Sequence, residues 1–223
     1  MQSETTRRSL ITGLGAAAAG VALAPRPAAA QPAGAFTPAR HPQDAWYGEI
    51  PGKHRIFIDA ATAHGAGEAL LYANNLYVAQ KAAYGLGDAD IAMIVCLRHF
   101  ATAFAFNDAI WAKYGKAMAG AVSFTDPKGG DVTVNPYNSA AYGSGLSNMG
   151  STIDSLVARG TQFAVCDMAT HFFAGQLAGS GGNADAVYKE LTSNAIPNSH
   201  FVPAGVVGTT RAQEYGYSLL VAG

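Results

Sequence analysis

The sequence predicts an α/β fold, a mainly parallel sheet with helices on both faces. Short, uninterrupted apolar runs at Ile56-Phe57-Ile58, Ile91-Ala92-Met93-Ile94-Val95-Cys96 and Phe163-Ala164-Val165-Cys166 have the composition of strands buried on both sides. Helical stretches separate them, an alternation that belongs to parallel sheets. The chain has 223 residues, enough for one such domain with a full core and short for two. At 13% charged residues and a net charge of −1, it is neither a disordered acidic tail nor a basic nucleic-acid binder. Two cysteines are too few for a disulfide scaffold or a four-cysteine zinc site.

Residues 1–30 read as a twin-arginine export signal. Thr6-Arg7-Arg8-Ser9-Leu10-Ile11 carries the arginine pair, Leu10 to Ala24 is uncharged, and Pro27-Ala28-Ala29-Ala30 offers a small-residue cleavage site before Gln31. The apolar stretch is shorter than the roughly 20 residues that span a bilayer. Losing Arg7, Arg8 and Arg26 against Glu4 takes the formal charge from −1 to −3. The expected product is periplasmic, without a membrane anchor after cleavage, and its thiols meet an oxidising compartment. Residues 31–53 read as an extended arm with Pro32, Pro38, Pro42 and Pro51, anchored by Trp46 and Tyr47.

From residue 54 the domain proper begins, running to 223. The first strand ends at Asp59-Ala60, and a helix opens between Gly65 and Gly67 and closes near Gly85. After the second strand a Phe- and Ala-rich helix is expected from about His99 to Tyr114, stopped by Gly115. Phe100, Phe104, Phe106 and Trp111 on it read as core packing, with a cofactor-pocket lining as the alternative. Residues 123–147, with Asp126-Pro127, Gly129-Gly130, Asn135-Pro136 and Gly143-Ser144-Gly145, form a long connection of the kind that makes lids or interfaces. A helix over Ser151–Arg159 shows the i, i+3, i+4 spacing at Ile153, Leu156 and Val157, and Gly160 caps it. Another helix covers Ala169–Leu177 after the third strand. A short helix then leads to a strand from Phe201 to Val207, a helix around Arg211–Tyr215 and a last strand, Ser218–Val221.

Ligands of open parallel sheets sit outside the carboxyl ends of the strands. Asp59 and His64 follow the first strand. Cys96 ends the second, with Arg98 and His99 just beyond. Cys166 ends the third, followed by Asp167, Met168 and His171. Each cysteine falls at a strand-to-helix turn, where the helix N-terminus favours a thiolate, the form that attacks sulfur or binds metal. Cys96, His99, Cys166 and His171 together would suit copper or zinc. The same residues are also compatible with an inert buried thiol, a Cys96–Cys166 disulfide, or histidines that cap helices. Cys96-x-x-His99 matches no tight zinc motif. Gly65-x-Gly67 lacks the third glycine of a dinucleotide fingerprint. A P-loop, a Gly-x-Ser-x-Gly elbow and a His-Glu-x-x-His motif are absent, so hydrolase and NTPase readings have no support.

Three segments in order resemble the DsrE/DsrF-like family of sulfur-relay proteins: the opening strand with Leu70-Leu71-Tyr72-Ala73-Asn74-Asn75, the run Leu156-Val157-Ala158-Arg159-Gly160-Thr161-Gln162-Phe163-Ala164-Val165-Cys166-Asp167-Met168-Ala169, and Val202-Pro203-Ala204-Gly205-Val206-Val207 through Gln213-Glu214-Tyr215-Gly216-Tyr217. The resemblance covers most of residues 54–221. It implies a three-layer α/β/α sandwich with a mainly parallel five-stranded sheet, assembled into homo-oligomers. It also implies a persulfide carried on Cys166, with no cofactor required. The chain differs from relay subunits in its export signal, its 123–147 connection and the segment Cys96-Leu97-Arg98-His99-Phe100.

The expected function is sulfane-sulfur binding or transfer, of sulfurtransferase type. Cys166 is the expected nucleophile and Cys96 a resolving or pocket residue, with His64, Arg98, His99 and His171 as binding residues. The expected partner is a small sulfur compound or a sulfur-accepting protein. The alternatives are the copper or zinc site and a non-catalytic oligomer that binds a small ligand.

Overall fold

The computed structural model describes residues 36–223; the expected export signal at 1–30 lies outside the described residues. Five strands, β1 (His54–Ala60), β2 (Ile91–Leu97), β3 (Gln162–Cys166), β4 (Ser199–Val202) and β5 (Ser218–Ala222), form one sheet in the order β4-β3-β2-β1-β5. Every pairing is parallel. β2 is buried along its whole length, which is why its seven residues read as one apolar run.

Strand order and the right-handed crossover rule together place the helices. From β1 to β4 the chain steps steadily across the sheet, so right-handed connections put every intervening helix on one face. These are α2 (Ala63–Tyr84), α3 (Asp108–Ala121), α4 (Ile153–Val157), α5 (Asp167–Ala178) and α6 (Ala184–Ser193). Their buried residues, among them Leu70, Trp111, Leu156, Phe173 and Leu191, share a single core with Ile58, Val95 and Val165. From β4 the chain crosses back to the far edge, and the helix of that connection, α7 (Gly205–Glu214), lies on the opposite face. The result is a three-layer sandwich with one thick and one thin helical layer.

The thin layer is completed by the N-terminal arm. A short helix α1 (Trp46–Glu49) drops Tyr47 into the second core beside Phe57, Ile94, Cys96 and Ala212. Tyr217 Oη donates to the Tyr47 carbonyl at 2.8 Å, and Tyr47 Oη to the Gly208 carbonyl at 3.4 Å. Trp46 stacks flat on His200 with ring centroids 4.0 Å apart.

Three expected features differ. The helix drawn from His99 to Tyr114 is two pieces: a 3-10 segment, His99–Ala105, then α3, which starts afresh at Asp108 with Asn107 as its cap. Phe106 between them is extended and bridges to Ala195, which breaks the helical path. The stretch 201–207 is not one strand. β4 stops at Val202, before Pro203, and Gly205 already opens α7. The connection at 123–147 is pinned to the thick layer and to the first turn of α2. Buried Asn135 donates to the carbonyls of Phe104 and Phe106 at 2.9 and 2.8 Å. Tyr137 Oη donates to the Ala63 carbonyl at 2.6 Å, and Ser147 Oγ to that of His64 at 2.8 Å. The arm, lastly, carries short helical turns where an extended chain was expected.

Candidate functional site

β3 and β4 are neighbours whose outgoing helices leave on opposite faces, α5 on the thick side and α7 on the thin side. Such a switch point opens a crevice outside the carboxyl ends of the strands. A cleft of about 400 Å³ occupies it, lined by Arg98, His99 and Phe100 after β2, by Cys166, Met168, Ala169 and Phe172 on β3 and α5, and by Ala204, Gly205 and Val206 at the start of α7.

Cys166 sits at the base of this cleft, 6% exposed. It is the last residue of β3 and the N-cap of α5, and the backbone N–H of Ala169 donates to its Sγ at 3.4 Å. The capping role explains its conformation: the residue is extended, so it finishes the strand, while its side chain turns back over the first helical turn.

Arg98 forms the polar wall. Its Nε and Nη2 donate to the two carboxylate oxygens of Asp59 at 2.7 and 2.9 Å, a fork-on-fork pair that leaves Nη1 outside the bond. Asp59 is nearly buried at the end of β1, in register with Cys96. The hydrogen bond to Asp59 raises the pKa of Arg98 further, while partial burial pulls it the other way. On its other side the Arg98 stem is covered by α7. A β-carbon on Gly205 would overlap the Arg98 side chain, so only glycine lets the helix lie this close. His99 takes a left-handed backbone, φ 52°, at the turn after β2. Such strain in a non-glycine residue concentrates at functional positions.

Cys96 is placed differently. It pairs with Ala164, two residues before Cys166, and lies fully enclosed in the thin-layer core with Sγ 4.0 Å from the Gly205 carbonyl. Burial drives its thiol well above the ordinary range, Asp59 and Cys166 push the same way, and Arg98 opposes them weakly. Both cysteines are free thiols. Cys96 therefore backs the site and does not line it.

The remaining expected residues divide. His99 and Arg98 line the cleft. His64 stands exposed on the first turn of α2, with Nε2 3.5 Å from Glu68. His171 stacks on Tyr188 with centroids 3.9 Å apart and has Nε2 3.6 Å from Asp167, on the α5–α6 side. Among the described residues no group of three or more His, Cys, Asp or Glu side chains is arranged to hold a metal ion, so Cys96, His99, Cys166 and His171 do not form one coordination sphere.

Comparison with known proteins adds no family. No protein-family model, curated protein or solved structure matches the chain.

The sequence did not mark Phe172, Gly205 and Val206 as cleft residues, and it favoured core packing over a pocket lining for Phe100. Phe100 was grouped with Phe104, Phe106 and Trp111; those three are buried, whereas Phe100 opens onto the cleft. The clue available was position: Phe100 lies three residues past the end of β2, and the others lie deeper in the chain segment that follows.

Proposed function

We propose that the chain is a DsrE-like thiol protein of the periplasm that accepts and passes on sulfane sulfur as a persulfide on Cys166. The observation that carries this reading is the position of Cys166 Sγ: at the base of the switch-point cleft, held by an N–H at the start of α5, with the Arg98 side chain lining the same cleft. A backbone donor and a fixed cation both stabilise negative charge on sulfur, before the attack and on the terminal sulfur afterwards.

With thiosulfate as donor the step balances without an added oxidant. The Cys166 thiolate attacks the outer sulfur, a Cys–S bond forms, the S–S bond of thiosulfate breaks, and sulfite leaves with its electron pair. The reverse attack by an acceptor thiolate returns Cys166 as a thiolate. Cys96 keeps its proton and frames the Arg98–Asp59 pair from below. Self-association has support in β5, the edge strand among the described residues, where Leu219, Leu220 and Val221 are exposed.

The test is intact mass after incubation with thiosulfate or polysulfide. The expected result is one or more added sulfur atoms, removed by reductant, in the native protein and none in Cys166→Ser. Equal loading of Cys166→Ser would end the proposal.

A further inference from the structure

Resting on the sulfur-carrier reading, the geometry points to a substrate class for the cleft: a monoanionic sulfur donor with an apolar body, of the organic thiosulfonate type, R–SO2–S⁻, in preference to inorganic thiosulfate.

Apart from Arg98 and His99, the cleft is lined by apolar side chains and small backbone-exposing residues. Phe100, Met168, Phe172 and Val206 stand around its mouth on three different segments. Met168 is 68% exposed and Phe172 51%, so this apolar surface faces water beside the nucleophile. Leaving such surface hydrated is unfavourable, and an apolar group seated on it recovers roughly 25 cal/mol per Å² buried. Small hydrophilic donors recover nothing there. Thiosulfate is a dianion whose sulfonate oxygens would be stripped of water against Phe100 and Phe172, with no matching set of donors in that part of the cleft. A thiosulfonate replaces one of those oxygens with carbon and carries one charge fewer.

The polar end of the cleft fits the rest of such a molecule. Arg98 is the cation lining the cleft, and Asp59 already engages its Nε and Nη2. One guanidinium with Nη1 to spare, beside the opening turns of α5 and α7, matches a single negative charge better than two. The transfer keeps that balance. The Cys166 thiolate attacks the terminal sulfur of R–SO2–S⁻, the S–S bond breaks, and the sulfinate R–SO2⁻ departs with the electron pair, its charge still beside Arg98.

The experiment follows persulfide formation on the full chain by intact mass, with the anions of methane-, benzene- and hexanethiosulfonic acid and with thiosulfate. The second-order loading rate is expected to rise at least tenfold from methane- to benzenethiosulfonate, with thiosulfate below both. Met168→Ser and Phe172→Ser together should flatten that ratio to within about threefold; both side chains are exposed, so the fold should tolerate the change. In parallel, hexanesulfonate should bind Cys166→Ser at least tenfold more tightly than methanesulfonate in calorimetry. Loading from every donor without dependence on R overturns the substrate class and leaves the sulfur-carrier reading standing. Chain-dependent sulfonate binding with no sulfur loaded from any donor does the opposite: the apolar anion site stands and sulfur transfer falls.

Discussion

Cys96 and Cys166 lie on neighbouring strands two residues out of step, and that offset gives them opposite chemistry. Two more residues along the strand carry Cys166 to the last position of β3, the cap of α5 and the base of a cleft. Cys96, still inside the sheet, is sealed beneath Arg98 and Gly205. Both were legible as strand-end cysteines, because an apolar run that ends in Cys before a helix places the thiol at the carboxyl rim. Which of them reaches the cleft was not legible, since that depends on register with Ala164 and on where α7 settles. In the native protein at pH 8, iodoacetamide should label Cys166 and spare Cys96, because burial holds the Cys96 thiol protonated well past that pH. Unfolding in denaturant should make both reactive. Peptide mapping reads the result, and equal labelling in the native state would show that Cys96 is reachable and restore it as a resolving thiol.

At the scale of elements, the decisive one is α7, whose first turn was read as strand. Val206 and Val207 are β-branched and follow Val202, which gives 201–207 the composition of a strand. Pro203 cannot donate to a ladder, so β4 stops before it, and α7 opens at Gly205, which packs against the Arg98 side chain. The contact is long-range, which is why local sequence did not reveal it. Helices over 63–84, 153–157 and 167–178 were legible in kind from the Ile153, Leu156, Val157 spacing and from the glycines that flank them; Gly85 does end α2 in the left-handed conformation, while the Thr62 and Thr152 caps are seen only in the structure. Gly205→Ala should force α7 and the Arg98 stem apart. The expected outcome is a loss of about 1–3 kcal/mol of stability and roughly tenfold slower sulfur loading, since displacement on the ångström scale costs this much or more in a positioned reaction. Gly175→Ala in α5, where a β-carbon meets nothing within 4 Å, is the control: it should leave loading unchanged and raise stability by about 0.5–1 kcal/mol, the helix-propensity gain of alanine over glycine. A Gly205→Ala variant with full loading would show that the α7–Arg98 contact does not position the site.

For the whole molecule, the sequence carried the α/β class through its alternation of buried strands and helices, but strand order is a property of pairing that no segment displays. That order, β4-β3-β2-β1-β5, decides both where the cleft opens and how unequal the two helical layers are. One ten-residue helix cannot cover a five-stranded sheet, and the arm makes up the deficit. Tyr47 is fully buried between α7 and the sheet, ringed by Trp46, Tyr215 and Tyr217, with its backbone carbonyl and hydroxyl both bonded across to the C-terminal third of the chain. Arg40 adds a bond to the Glu214 carbonyl at 3.0 Å and stacks on Tyr215. The arm thus acts as the missing part of the thin layer and presses α7 onto Arg98 from behind. Tyr47→Ala should cost about 3–5 kcal/mol, the range for emptying a buried aromatic site, measured as a lower denaturation midpoint with an unchanged slope. Tyr47→Phe keeps the ring and loses only the 3.4 Å bond to Gly208, so its cost should be about 1 kcal/mol. Because α7 bears on the cleft, Tyr47→Ala should also slow labelling selectivity to the point where iodoacetamide begins to reach Cys96 in the folded protein. A Tyr47→Ala protein with native stability and native selectivity would mean that α7 holds its place without the arm.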